Sequence, residues 1–144
     1  MTTDEMHAFL DEGRDLQVAS INADGTPHLV TMWYLREGDD LLFWTYAKSQ
    51  KVVNFRRDPK AALLIESGEA YETLKAMVAY ATAEVIDDQE TIVATMAKMA
   101  ARRGLSSDGP EVAGARATMP KRVVIRFTPQ RFITWDHSKL SGVY

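Results

Sequence analysis

Between Leu16 and Trp135 the apolar residues of this chain come in short runs, most of them alternating, cut apart by turn clusters. That rhythm constrains the fold more than any single motif, because runs of strand length with period two must hide one face in a sheet. Leu16 to Ile21 alternates and runs into Asn22-Ala23-Asp24-Gly25, a turn cluster. Pro27 to Leu35 mixes β-branched and aromatic residues, and Arg36-Glu37-Gly38-Asp39-Asp40 turns the chain into Leu41 to Thr45. Three strands joined by tight turns predict an antiparallel meander that curls or packs to cover its apolar face. Lys60 to Glu66 reads as a fourth strand, followed by a turn at Ser67-Gly68-Glu69. Leu74 to Ile86 reads as a long fifth, although its alanines and Met77 would also suit a helix. Lys121 to Phe127 alternates as a sixth, Thr128-Pro129-Gln130 makes a turn, and Arg131 to Trp135 is the last strand.

Helical patterns sit between these runs. Thr2 and Glu5 have capping-box spacing ahead of Met6, Phe9 and Leu10, with Gly13 as the stop. A short helix follows Ser49 and ends near Asp58-Pro59, since a proline pushes the preceding residue out of helical conformation. Asp87-Asp88 caps a longer helix with Ile92, Val93, Met96, Met99 and Ala100 at helical spacing, ended by Gly104. Ser106 to Thr118, small and polar, is expected to be a loop, and the tail from Asp136 to Tyr144 is polar with apolar punctuation. The 144 residues therefore predict one domain, residues 1–144, mainly β with inserted helices: a small closed or split barrel of six to seven strands.

The chain has a net charge of −3, which weighs against a nucleic-acid or anionic-membrane partner, although Lys48, Lys51, Arg56, Arg57 and Lys60 form a local basic patch. With no cysteine there is neither a disulfide framework nor thiolate chemistry. No apolar run approaches the ~20 residues of a membrane span, and the first residues lack the pattern of a signal peptide, so a cytoplasmic protein is expected.

Function is expected to begin at Thr45-Tyr-Ala-Lys-Ser-Gln-Lys51, where a strand hands over to a helix N-terminus. Such a terminus carries unpaired N–H groups and partial positive charge, and so accepts phosphate or another anion. Ser49 stands at the N-cap, with Lys48 and Lys51 adding full charge. Taken alone, these residues read first as a capped surface helix with solvated lysines. Other chemistries find little support. No two glycines stand two residues apart, and Gly104 and Gly109 have P-loop spacing but are followed by Pro110-Glu111. There is no Gly-x-Ser-x-Gly elbow. His7, His28 and His137 lie far apart, none with metal-helix spacing, so no metal site is expected. Trp135-Asp136-His137 is no acid–base pair, because neighbours on a strand point to opposite faces.

Gly25-x-Pro27-His28 leading to Thr31-Met32-Trp33-Tyr34, and Leu42-Phe43-Trp44-Thr45 followed by Ser49-Gln50-Lys51-Val52-Val53-Asn54-Phe55, carry a resemblance. Arg57-Asp58-Pro59 and Thr128-Pro129-Gln130-Arg131-Phe132-Ile133-Thr134-Trp135-Asp136 extend it over nearly the whole chain. The sequence resembles the pyridoxamine 5′-phosphate oxidase-like superfamily of flavin- and deazaflavin-binding split β-barrels. The ending Trp135 to Leu140 is especially similar to the actinobacterial branch that uses the deazaflavin F420.

The resemblance implies a homodimeric antiparallel split barrel with cofactor sites at the subunit interface. It places Lys51 on the cofactor phosphate with Ser49 and Gln50 beside it, and the basic surface of Lys48, Lys51, Arg56 and Arg57 suits such an anion electrostatically. Thr45 and the strand carrying Thr31, Met32 and Trp33 would line the ring, and Trp135 would meet the partner's cofactor. Met32 departs from the proline many relatives have there. The implied activity is F420H2-dependent hydride transfer to a conjugated or heteroaromatic small molecule, such as a quinone, an enone or a tetrapyrrole. No side chain is assigned as catalytic, because the cofactor carries the hydride. An FMN-dependent oxidoreductase and a non-catalytic flavin, F420 or haem-binding module are the alternatives. The substrate signature of the vitamin B6 oxidases is not evident.

Overall fold

A computed structural model describes residues 1–140, so the last four residues of the expected polar tail lie outside the described residues. The described residues fold into one seven-stranded antiparallel sheet, curled into a split barrel, with four α-helices. The strands are β1 (Asp15–Ile21), β2 (Pro27–Trp33), β3 (Leu35–Glu37), β4 (Asp40–Tyr46), β5 (Lys60–Ser67), β6 (Lys75–Ile86) and β7 (Arg122–Asp136). The helices are α1 (Thr3–Glu12), α2 (Gln50–Arg57), α3 (Gln89–Arg102) and α4 (Pro110–Ala117). The stretch that suited helix or strand by composition, 74–86, is strand β6.

The order across the sheet is β2-β1-β5-β6-β7-β4-β3, which corrects the expected meander. The first hairpin forms, with Leu16 opposite Met32 and Ser20 opposite His28, but β4 pairs with β3 and β7 rather than with β2. The run expected to be continuous from Pro27 to Leu35 breaks at Tyr34. Edge strands β2 and β3 are thus joined by one residue, and only a sheet curled onto itself allows that. Tyr34 anchors the corner: its ring is buried and its hydroxyl donates to the Leu10 carbonyl. A Cβ on Gly13 would lie 2.6 Å from that hydroxyl, so only glycine fits beside it.

Two further expectations are corrected. The segment from Ser106 to Thr118 is not a loop, because Pro110 begins a helix at the position where its missing N–H costs nothing. Val112, buried against Met96 and Ala100, fastens that helix to α3. Thr128-Pro129-Gln130 is not a turn between two strands; β7 runs through it, and the register shifts opposite Tyr80 and Ala81. A bulge accommodates a proline that has no N–H for the ladder.

The inner face of the barrel holds the core, where Phe43, Phe55 and Phe127 stack edge-on and tilted among Leu16, Leu63 and Ile65. Outside, α3 and α4 cover β3, β4 and the first half of β7, with Ile92 and Met99 packed on Leu35, Leu42 and Val124. The other half of the outer face is uncovered. There the cross-strand series Leu64–Val78–Ile133 and Ala62–Tyr80 leaves Tyr80 and Ile133 exposed, with Leu29 at the edge 67% exposed.

Candidate functional site: a cationic cradle at the start of α2

Helix α2 is set in the barrel by Val52 and Phe55, both in the core, and by Asn54, which is wholly buried. The Asn54 amide donates to Ser20 Oγ at 2.9 Å and to Asn22 Oδ1 at 3.0 Å, which fixes the helix to the end of β1. These contacts hold the N-terminus of α2 against the end of β4. Ser49 occupies the N-cap, as expected, but its side chain makes no capping bond. Its Oγ is buried and has no hydrogen-bond partner among the described residues. The first-turn N–H groups of such a helix lack intrahelical acceptors.

Lys51, one residue into the helix, is only 9% exposed and forms no salt bridge among the described residues. Burial, and secondly the charge of Arg122, hold its ammonium below the usual lysine range. Arg122 escaped the sequence reading. It opens β7 directly across from Tyr46, and its guanidinium lies 3.6 Å from the Tyr46 ring centroid and 4.4 Å from that of Trp44. Stacking fixes the plane of the guanidinium and leaves its edge donors free, apart from a 3.3 Å bond from Nε to Thr118 Oγ1. The one signal in the sequence was the basic pair Lys121-Arg122 ahead of an alternating run; its position beside Tyr46 follows only from strand register.

The other expected site residues are placed as follows. Thr45 is buried on β4 beside the junction, Lys48 is exposed, and Gln50 donates to Asn54 Oδ1 at 2.8 Å. Arg57 lies at the far end of α2, about 9 Å along the axis from Lys51. There it donates to the Ile21 carbonyl and, at 3.3 Å, to Asn54 Oδ1. Thr31 and Trp33 share the exposed face of β2, while Met32 points the other way and packs against the core. Trp135 pairs with Ala76 near the end of β7, roughly 40 Å along that strand from Arg122. Within one chain it does not meet Lys51.

Among the described residues, two cations without a counter-charge, an orphaned buried hydroxyl and a helix start form a donor set suited to an anionic phosphate. Among the described residues no group of three or more His, Asp or Glu could hold a metal ion. No helix among the described residues is long and apolar enough to cross a membrane.

A split barrel with a phosphate-type cradle at its β4–α2 junction defines a class of protein. The chain matches the family described as pyridoxamine 5′-phosphate oxidase over residues 2–136, and it belongs to that family. Among solved structures, the conserved hypothetical protein Rv2991 from Mycobacterium tuberculosis is 34% identical with a TM-score of 0.89, covering 100% of this chain and 90% of that one. An F420 reductase is 23% identical with a TM-score of 0.72, covering 88% and 94%. The haem storage protein HutZ from Vibrio cholerae is 17% identical with a TM-score of 0.73, covering 93% of each chain. No curated protein matches this sequence.

Proposed function

We propose that this protein is a cytoplasmic homodimeric oxidoreductase that binds reduced F420 and transfers its hydride to a conjugated or heteroaromatic small molecule. The observation that carries the reading is the cradle of Ser49, Lys51 and Arg122, whose donors and charges match a cofactor phosphate. The bound deazaflavin supplies the hydride. The chain's own residues bind and orient: Lys51, Arg122 and Ser49 hold the phosphate, with Lys48, Gln50 and Arg57 in the surrounding basic surface. Thr31 and Trp33 line the ring from the exposed face of β2 and exclude water, Met32 backs that strand from the core side, and Thr45 borders the ring from β4. Trp135 acts across the interface on the partner's cofactor, which accounts for its distance from Lys51 within one chain. The uncovered half of the outer sheet face offers the apolar area a dimer needs.

The cradle suits the phosphate of FMN as well as that of F420, and the preference for F420 rests on the resemblance of residues 135–140 to the F420-using branch. A non-catalytic module is the second reading, favoured by the haem storage protein among proteins of this fold. Parallel fluorescence titrations with F420 and FMN, followed by turnover on quinone, enone and biliverdin acceptors, separate these readings. Tighter binding of F420 with turnover is expected; tight binding without turnover on any acceptor would favour the module.

A further inference from the structure

A second cleft, of about 480 Å³, opens between the end of α1, the Trp33-Tyr34 corner and the C-terminus of α3. Its volume falls in the range of small-molecule sites. It is lined by Arg14, Arg102 and Arg103, and by the indole of Trp33, which is 45% exposed. Two of these cations are uncommitted. The side chains of Arg14 and Arg103 form no salt bridge and donate no hydrogen bond among the described residues, whereas the Arg102 guanidinium is taken up by backbone carbonyls. Two carboxylates also face the cleft. Asp11 is held in a two-point pair with Arg36, at 2.6 and 2.8 Å, and Glu12 is exposed to water.

Arg103 lies 3.9 Å from the Trp33 ring centroid. A guanidinium stacked on an indole keeps its in-plane N–H fork free and oriented, the arrangement that receives a carboxylate edge-on. Past Trp33, Met99 and Arg103 the cleft continues into a void of about 80 Å³ under α4, walled by Trp44, Met96 and Leu105. The polar end thus carries the cations, and the inner end is walled mainly by apolar side chains and two indoles, with Glu111 as its one acidic residue.

We infer that this cleft is a binding site for a planar aromatic or conjugated carboxylate, with the acid group on Arg103 and Arg14 and the ring against Trp33. The site shares no residue with the Lys51 phosphate cradle, although the proposed function also sets Trp33 beside the cofactor ring, and the inference does not depend on which cofactor that cradle takes. Isothermal titration calorimetry of the intact protein with 2-naphthoate and with neutral 2-naphthamide tests it. The carboxylate is expected to bind at least tenfold more tightly than the amide, and Arg103→Gln and Arg14→Gln are each expected to collapse that preference. Cofactor affinity should stay as in the parent protein. Arg14 holds nothing else in place, so its substitution reads binding without disturbing the fold. No binding of naphthoate, equal binding of acid and amide, or a preference that survives both substitutions would overturn the inference.

Discussion

Lys51 is a cation kept in an environment that disfavours its charge. Burial and the neighbouring Arg122 both lower its pKa, so in the free protein the charged lysine costs stability. The unfolded chain binds that proton more tightly, and stability contributed at this position rises as pH climbs through the lowered folded pKa towards the ordinary value. A bound phosphate reverses the balance by supplying the missing counter-charge. Two outcomes follow. Lys51→Ala should weaken cofactor binding by roughly 1.5–3 kcal/mol, or about ten- to a hundredfold, with the fold retained. Unchanged affinity by fluorescence titration would remove Lys51 from the site. Affinity of the parent protein should be fully present below the lowered pKa and fall as pH rises through it, and a profile that stays flat until the ordinary lysine range would contradict this. Lys51 and Ser49 were legible in the sequence because a strand-to-helix junction is local. Arg122 was not, since it comes 71 positions after Lys51 and reaches the site only through the pairing of β7 with β4.

Among the helices, α3 is tied in by its last residue. Arg102 stacks on Tyr34 at 4.5 Å and donates to the carbonyls of Leu10 (3.2 Å), Asp11 (3.0 Å), Gly13 and Tyr34. One guanidinium thus satisfies the open carbonyls at the end of α1 and pins the corner where β2 becomes β3. Arg102→Ala should destabilise the protein by about 1–3 kcal/mol, because those acceptors lose their donor. Chemical denaturation measures it, and a loss below ~0.5 kcal/mol would show that water replaces the side chain. The elements themselves were well marked where hydrophobic period and caps agreed. The capping box of Thr2 and Glu5 and the Asp88 cap both formed as expected. The marks misled at α4 and at Pro129. A short alanine-rich helix with one anchoring valine resembles a loop in composition, and a proline on a bulge resembles a proline in a turn.

For the whole molecule, class and strand number were legible but strand order was not. Alternation says that a face is buried without saying against which neighbour, and the tight turn at 36–40 joins β3 to β4 rather than β2 to β4. The uncovered outer face leads to a prediction at this scale: Ile133→Asp should shift the sedimentation of the proposed dimer to that of a single chain. Cofactor affinity should fall with it, since Trp135 would leave the neighbouring site. A parent protein that sediments as a single chain and still binds cofactor would exclude the interface. The sheet order has another consequence, for the order of synthesis. Strand β7 is made after every other strand among the described residues and lies between β6 and β4. Until it emerges, the growing chain holds two separate sheets, β2-β1-β5-β6 and β4-β3, whose open edges have nothing to pair with. A ribosome that stalls after α4 therefore exposes two sticky strands at once, and a chaperone that shields nascent strands would matter most for this protein while β7 is being made.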